Sequence, residues 1–185
     1  MCTHKGFLLA LVLFGLSTSV VAQTYQIGRK VTEAEVAPWT IDVFPNGMGL
    51  PPGKGSVAEG KAVYDAKCAA CHGPKGEGGV ADRIVGGIDT LKSDKRVKTV
   101  GSYWPYATTA YEYIYRAMPY DSPKSLTPNE VYAVVAYVLH LSNIVEASAT
   151  LDAASLPKVT MPNRAGFTVD PRPDVANVPC TRDCK

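Results

Sequence analysis

The chain has 185 residues and a formal net charge of +2. This length allows one domain with a hydrophobic core and further segments beside it. The near balance of basic and acidic residues does not indicate a nucleic acid as partner. Prolines and glycines cluster in residues 45–55, 73–87 and 157–179, which predicts a compact middle between irregular ends.

The first residues have the layout of an export signal. Lys5 precedes an apolar run from Phe7 to Leu16, and small residues follow up to Ala22. This order predicts a signal peptide over residues 1–22, with cleavage near Ala22. The run is too short to span a bilayer comfortably, although an uncleaved anchor is the alternative interpretation. We therefore expect a periplasmic protein with no membrane span after cleavage, in an oxidising compartment.

Residues 23–55 are predicted to be an N-terminal extension. Thr32 and Glu35 have the spacing of a helix cap, so one short helix is expected there. The later stretch DVFPNGMGLPPGKG is rich in turn-forming residues and cannot form a core of its own.

A helix is predicted to begin at Ser56, because Ser56 with Glu59 fits a capping box. Gly60 and Tyr64 lie on one face of this helix. A glycine inside a helix costs about 1 kcal/mol relative to alanine, so Gly60 indicates the close approach of another helix. The segment between residues 73 and 104 has no strand alternation and is predicted to be loop with a turn or two of helix.

Two further helices are predicted. One carries an apolar stripe at helical spacing that ends at Met118, after which Pro119 stops the helix. The other begins at Thr127, with Pro128 in its first turn, and has no charge over residues 131–139, so it is expected to be buried on most sides and to pack on Gly60. Residues 56–143 are therefore predicted to be an all-α domain.

The stretch CAACH, residues 68–72, is the attachment signature of c-type haem. Cys68 and Cys71 are spaced to form thioethers with the two vinyl groups of one porphyrin, and His72 then reaches the iron. A zinc site would need about four ligands and would have to recruit distant cysteines. A thioredoxin-type dithiol would follow a β-strand, whereas a helix is predicted before this motif. We expect one covalent haem c.

The iron needs a second axial ligand or has an open site. Met118 is the predicted ligand, because it ends an apolar helix in a tyrosine-rich segment; Met48, Met161 and His140 are the other candidates. With both axial positions filled, the chemistry is one-electron exchange and not substrate chemistry at iron. The alternative is a haem enzyme with an open site, such as a peroxidase.

Three residues are candidates for contacts with the haem propionates. Tyr103, Trp104 and Arg116 carry hydrogen-bond donors between the attachment motif and Met118. The alternative for Tyr103 and Trp104 is that they only wall the pocket.

Residues 56–143 resemble a class I cytochrome c, with CAACH at the end of a first helix, a late Met-Pro and an apolar last helix. A narrower resemblance covers nearly all of residues 23–185. The stretches IGRKVTEAEVAPWTIDVFPNGMGLPPGKGSVAEGKAVYDAKCAACHG, KTVGSYWPYATTAYEYIYRAMPYDSPKSLTPNEVYAVVAYVLHL and SLPKVTMPNRAGF are similar to the cytochrome subunit of the sulfane dehydrogenase of the bacterial thiosulfate-oxidising (Sox) system.

That resemblance implies an electron-transfer subunit that is not catalytic by itself. Its partners would be a molybdenum-cofactor subunit, which supplies electrons, and a downstream cytochrome, which accepts them. Some members of the family carry a second haem domain, whereas this chain has a single C-x-x-C-H motif. Similar cytochromes serve sulfite dehydrogenases, so a sulfite dehydrogenase partner and a freestanding diffusible cytochrome are the alternatives.

The two ends of the chain fit a subunit better than a free carrier. Residues 23–55 and 144–185, the predicted extensions, are either disordered tails or arms that lie on a partner. Trp39 and Phe167 favour arms, because large apolar residues are unusual in disordered chain. Cys180 and Cys184 would then form a local disulfide, which requires a tight turn of the backbone between them.

Overall fold

The computed structural model describes residues 27–36, 39 and 42–172. The predicted signal peptide and the predicted disulfide lie outside these residues. The chain divides into two units, Met1–Ala37 and Pro38–Lys185. No helix in the described ranges is long and apolar enough to cross a membrane.

The described part of the first unit contains one short helix, α1, at Glu33–Val36. The Thr32 backbone N–H and hydroxyl both donate to the Glu35 carboxylate at 3.0 Å. Arg29 pairs with the same carboxylate. The helix cap predicted from Thr32 and Glu35 is therefore confirmed.

The second unit is mostly helical, as predicted. Its elements, in chain order, are β1 Lys54–Ser56, α2 Val57–Lys67, α3 Ala69–His72, α4 Val100–Tyr103, α5 Ala107–Ala117, α6 Pro128–Leu141, β2 Thr150–Asp152 and a 3-10 helix Leu156–Lys158.

The caps of α2 and α6 form as the sequence predicts. Ser56 accepts from the backbone of Glu59, whose carboxylate accepts in return from the Ser56 backbone at 2.8 Å. Thr127 and Glu130 make the same reciprocal pair at the start of α6, with Pro128 in the first turn. The uncharged residues 131–139 of α6 are all buried.

Helices α2 and α6 cross at Gly60. A Cβ atom at Gly60 would overlap the backbone oxygen of Ala133, so only glycine allows this approach. One turn further along, the rings of Tyr64 and Tyr137 lie 5.3 Å apart between centroids. The predicted packing of the last helix on Gly60 is confirmed.

The extensions on either side of the all-α domain, predicted to be irregular, form a small sheet. Strands β1 and β2 pair antiparallel, with Gly55 opposite Leu151. A Cβ at Gly55 would overlap Ala133, so the strand lies directly on α6. Strands of three residues are too short to show alternation in sequence, and this pairing joins segments almost a hundred residues apart.

The core includes residues on both sides of the predicted 56–143 domain. Val43, Leu151, Leu156 and Met161 are buried in the same cluster as α6. Parts of both predicted extensions therefore pack on their own domain, and the boundaries at 56 and 143 stay predictions.

Candidate haem site

The attachment motif occupies a single helical turn after α2. The backbone N–H groups of Cys71 and His72 donate to the carbonyl of Cys68 at 3.1 and 3.0 Å. Cys68 is half-buried and Cys71 is exposed. The turn therefore places the two thiols and the imidazole within one short stretch, made of Cys68 and helix α3, as the motif requires.

The imidazole of His72 is fixed by a hydrogen bond from its Nδ1 atom to the carbonyl of Asp82, at 2.8 Å. A carbonyl oxygen only accepts, so the proton must lie on Nδ1. The lone pair of Nε2 is then available for a metal. Metal-bound histidines usually carry this kind of bond on the other ring nitrogen, because it fixes both the tautomer and the ring orientation.

The loop after His72 is fastened to the attachment turn by its backbone. The N–H groups of Gly78 and Ala81 donate to the carbonyls of His72 and Cys71 at 2.8 and 3.0 Å. The Tyr64 hydroxyl, whose pKa is raised to about 12 mainly by burial, donates to the Gly73 carbonyl at 2.8 Å. The loop is therefore held to the attachment turn by backbone hydrogen bonds in addition to the bond between His72 and Asp82.

The cysteines do not resemble a redox dithiol. Burial raises the pKa of the Cys68 thiol to about 11. Nucleophilic cysteines of C-x-x-C oxidoreductases have a lowered pKa instead, since the thiolate is the reactive form. The element before the motif is helix α2 and not a strand. Both observations speak against the thioredoxin-type alternative.

Tyr103 and Trp104 lie at the end of α4 and are half-buried. The Trp104 ring lies 5.8 Å from the ring of Tyr113, and the Tyr103 ring contacts Phe167 edge-on at 5.4 Å. Within residues 42–172, the Tyr103 hydroxyl and the Trp104 indole N–H have no protein hydrogen-bond partner. Both donors are therefore available to a bound group, and the propionate contacts stay predictions.

Arg116 is engaged with carboxylates. Its guanidinium donates to Asp42 at 2.8 Å and to Glu112 at 2.7 Å, and hydrogen bonds to these two carboxylates raise its pKa. A propionate contact by Arg116 would have to compete with both carboxylates, and it also stays a prediction.

Met118 caps the C-terminus of α5 and is half-buried. The other methionines are placed differently: Met48 is 58% exposed, whereas Met161 is 1% exposed and packs in the core. His140 bonds through Nδ1 to the Val145 carbonyl at 3.1 Å. Among the methionines in the described residues, Met118 is therefore the one whose side chain is neither largely exposed nor completely buried in the core.

Helix α5 also carries two buried hydroxyls that the described protein residues leave without a partner, those of Thr108 and Tyr111. Burial raises the pKa of Tyr111 above its ordinary value. Buried polar atoms are nearly always hydrogen-bonded, so an unpaired pair on one helix suggests a partner that is not protein.

The residues fit a covalent haem. Two thiols three positions apart, an imidazole with its Nε2 atom free, and unpaired donors on the segments leading to Met118 are the groups that it requires. The Asp82 carbonyl was missed from the sequence, because a backbone group leaves no residue-type signal.

Comparisons with known proteins agree with this site. The cytochrome c family model matches residues 57–142. A chain in the crystal structure of the sulfane dehydrogenase SoxCD from Paracoccus pantotrophus is similar, with a TM-score of 0.77 and 37% identity, over 88% of this chain and 83% of that one.

A thiosulfate dehydrogenase of Psychrobacter arcticus is 29% identical over 93 residues, which are 50% of this chain. The match covers only 28% of that protein's length.

Proposed function

The chain belongs to the class I cytochrome c family, and from that premise we propose that it is an electron-transfer subunit with one covalent haem c in a periplasmic complex that oxidises reduced sulfur compounds. The observation that carries the proposal is the attachment turn, in which the Asp82 carbonyl fixes His72 with its Nε2 atom free. The similarity to a chain of SoxCD over 88% of this chain supports the sulfur substrate class.

Each residue of the site has a role in this proposal. Cys68 and Cys71 would form the thioether bonds, and His72 and Met118 would bind the iron. The bound haem supplies one-electron exchange. Tyr103 and Trp104 would line the pocket and offer donors to the propionates, and the buried core formed by α2 and α6 would keep water out of the domain interior.

The proposed electron donor is a molybdenum-cofactor subunit, and the proposed acceptor is another cytochrome. Two features support a subunit over a freestanding carrier. The resemblance to SoxCD extends well beyond the 57–142 cytochrome match. Segments outside that match also expose large apolar side chains, including Trp39 at 84% and Phe44 at 47%. Solvent-exposed aromatic residues are enriched in protein interfaces.

The test is metal analysis of the protein purified gently from its native periplasm, without breaking complexes. Iron and molybdenum that co-elute in near-equal amounts would support the dehydrogenase subunit. Activity assays with sulfite and with carrier-bound sulfane sulfur would then identify the substrate. Iron alone on a species of monomer size would overturn the complex and favour a diffusible cytochrome.

A further inference from the structure

A C-terminal segment lies on the connection between α4 and α5. We call residues 161–167 the strap and residues 103–106 the aromatic connection. The Asn163 side-chain amide donates to the Tyr103 carbonyl at 2.6 Å. The Arg164 guanidinium lies 4.0 Å from the centre of the Tyr106 ring, and the Phe167 ring contacts Tyr103. Three successive types of contact therefore join segments about sixty residues apart.

The strap is itself an ordered turn. Met161 anchors it, with 1% of its surface exposed. The N–H of Arg164 donates to the Met161 carbonyl at 3.0 Å, and the N–H of Gly166 donates to the Asn163 carbonyl at 3.1 Å. A Cβ at Gly166 would overlap the Asn163 side chain, so a larger residue there would displace the Asn163 amide. The strap lies outside the 57–142 family match.

Apart from the strap, the aromatic connection contacts residues close to it in sequence: Lys98 lies 4.7 Å from the centre of the Tyr103 ring, and Trp104 packs against Tyr113. The start of α4 is fastened to the loop after His72, because Val100 N–H donates to the Ile84 carbonyl at 3.3 Å and the Thr99 hydroxyl donates to the Gly86 carbonyl at 2.6 Å. At the other end of α4, the described residues give the Tyr103 carbonyl one hydrogen bond, from Asn163.

We propose that Asn163 and Arg164 are positioning residues for the haem pocket. They hold the aromatic connection in place, so that Tyr103 and Trp104 keep water and small ligands away from the iron. This inference rests on the proposed function, because it assigns Tyr103 and Trp104 to the pocket wall. Solvent exposure and hydrogen bonding around a haem set its reduction potential, so the strap also tunes the potential.

The test uses the full-length haem protein with the double substitution Asn163→Ala and Arg164→Ala. We expect cyanide to bind the ferric protein roughly fivefold to tenfold faster than it binds wild type, the combined effect of one hydrogen bond and one cation–π contact. We also expect a lower reduction potential, with covalent attachment and helix content unchanged. If the double variant does not fold, Arg164→Ala alone serves, because Arg164 is exposed.

Two controls make the result specific. Arg172→Ala removes a guanidinium that pairs with Asp170 in the same tail, and it should change neither measurement. Arg164→Lys keeps a cation for the Tyr106 ring and should restore part of the wild-type rate. Cyanide entry and potential equal to wild type in the alanine variants would overturn the strap proposal. Immediate cyanide binding by wild type would instead overturn the axial assignment of Met118.

Discussion

The two segments that border the proposed iron site are held in different ways. The attachment segment, residues 68–87, is fixed mostly by hydrogen bonds between residues at most ten positions apart, such as His72 and Asp82, together with two longer ones from Thr99 and Val100. The ligand segment, residues 103–118, is fixed by partners far away in sequence: Asn163 at Tyr103, and Asp42 at Arg116. One side of the site can therefore form from local sequence, whereas the other requires the whole fold.

The largest effect on this difference between the two segments is expected when the attachment cysteines are removed. With Cys68→Ala and Cys71→Ala together, no thioether can form, and we expect all haem to be released by acid acetone. Met118→Ala lies in the other segment and should leave the haem fully attached, which makes it the matched control. Covalently retained haem in the double cysteine variant would contradict the assignment of the two thiols.

The next largest effect is expected at Gly60, where α2 crosses α6. Gly60→Ala would normally stabilise a helix, yet here the added Cβ overlaps the backbone oxygen of Ala133, which cannot move without shifting α6. We expect the free energy of unfolding to fall by about 3 kcal/mol in a denaturant titration. Ala66→Ser, on the exposed side of α2, should change it by less than about 0.5 kcal/mol. A more stable Gly60→Ala protein would contradict the observed helix crossing.

The same contrast explains how much the sequence predicts. The caps at Ser56 and Thr127, the crossing at Gly60 and the motif at Cys68 are local patterns, each with a specific physical cause, and the fold built on them is confirmed. The packing of Met161 in the core was not predicted. Its segment has no periodicity, and its burial depends on a surface that exists only after α5 and α6 have packed.

At the site, the types of residue in the sequence predict which cofactor binds, but they do not predict which hydrogen bonds each side chain makes. The attachment motif indicates haem because two thiols and an imidazole at that spacing have few other uses. Arg116 is a candidate propionate donor because of its hydrogen-bond donors and its place before Met118, yet the structure pairs it with Asp42, 74 positions away in sequence. Sequence spacing gives no measure of such competition.

The smallest effect is expected at the cap of α6, where Glu130 also pairs with Lys67 at 3.5 Å, next to the attachment motif. Hydrogen bonds from Thr127 lower the pKa of Glu130, so its contribution is present above the ordinary glutamate pKa and is lost as pH falls through the lowered value. Glu130→Gln should reduce stability by about 0.5–1 kcal/mol at neutral pH, and the difference should vanish in acid.

Urea titrations at several pH values would measure this loss, with Glu146→Gln as a control at an exposed position. The reduction potential should not change in either variant. A reduction potential that shifts with Glu130→Gln would contradict this expectation and would show that loss of the ion pair with Lys67, which directly precedes Cys68, reaches the haem site.

The most direct test of an electron-transfer site is carbon monoxide binding to the reduced, full-length haem protein. If Met118 fills the sixth position, the spectrum of wild type should not change on addition of carbon monoxide. Met118→Ala should bind the gas readily and have a lower reduction potential, because a methionine ligand raises it. Wild type that binds carbon monoxide as readily as the variant would contradict an electron-transfer site and favour a haem enzyme with an open iron.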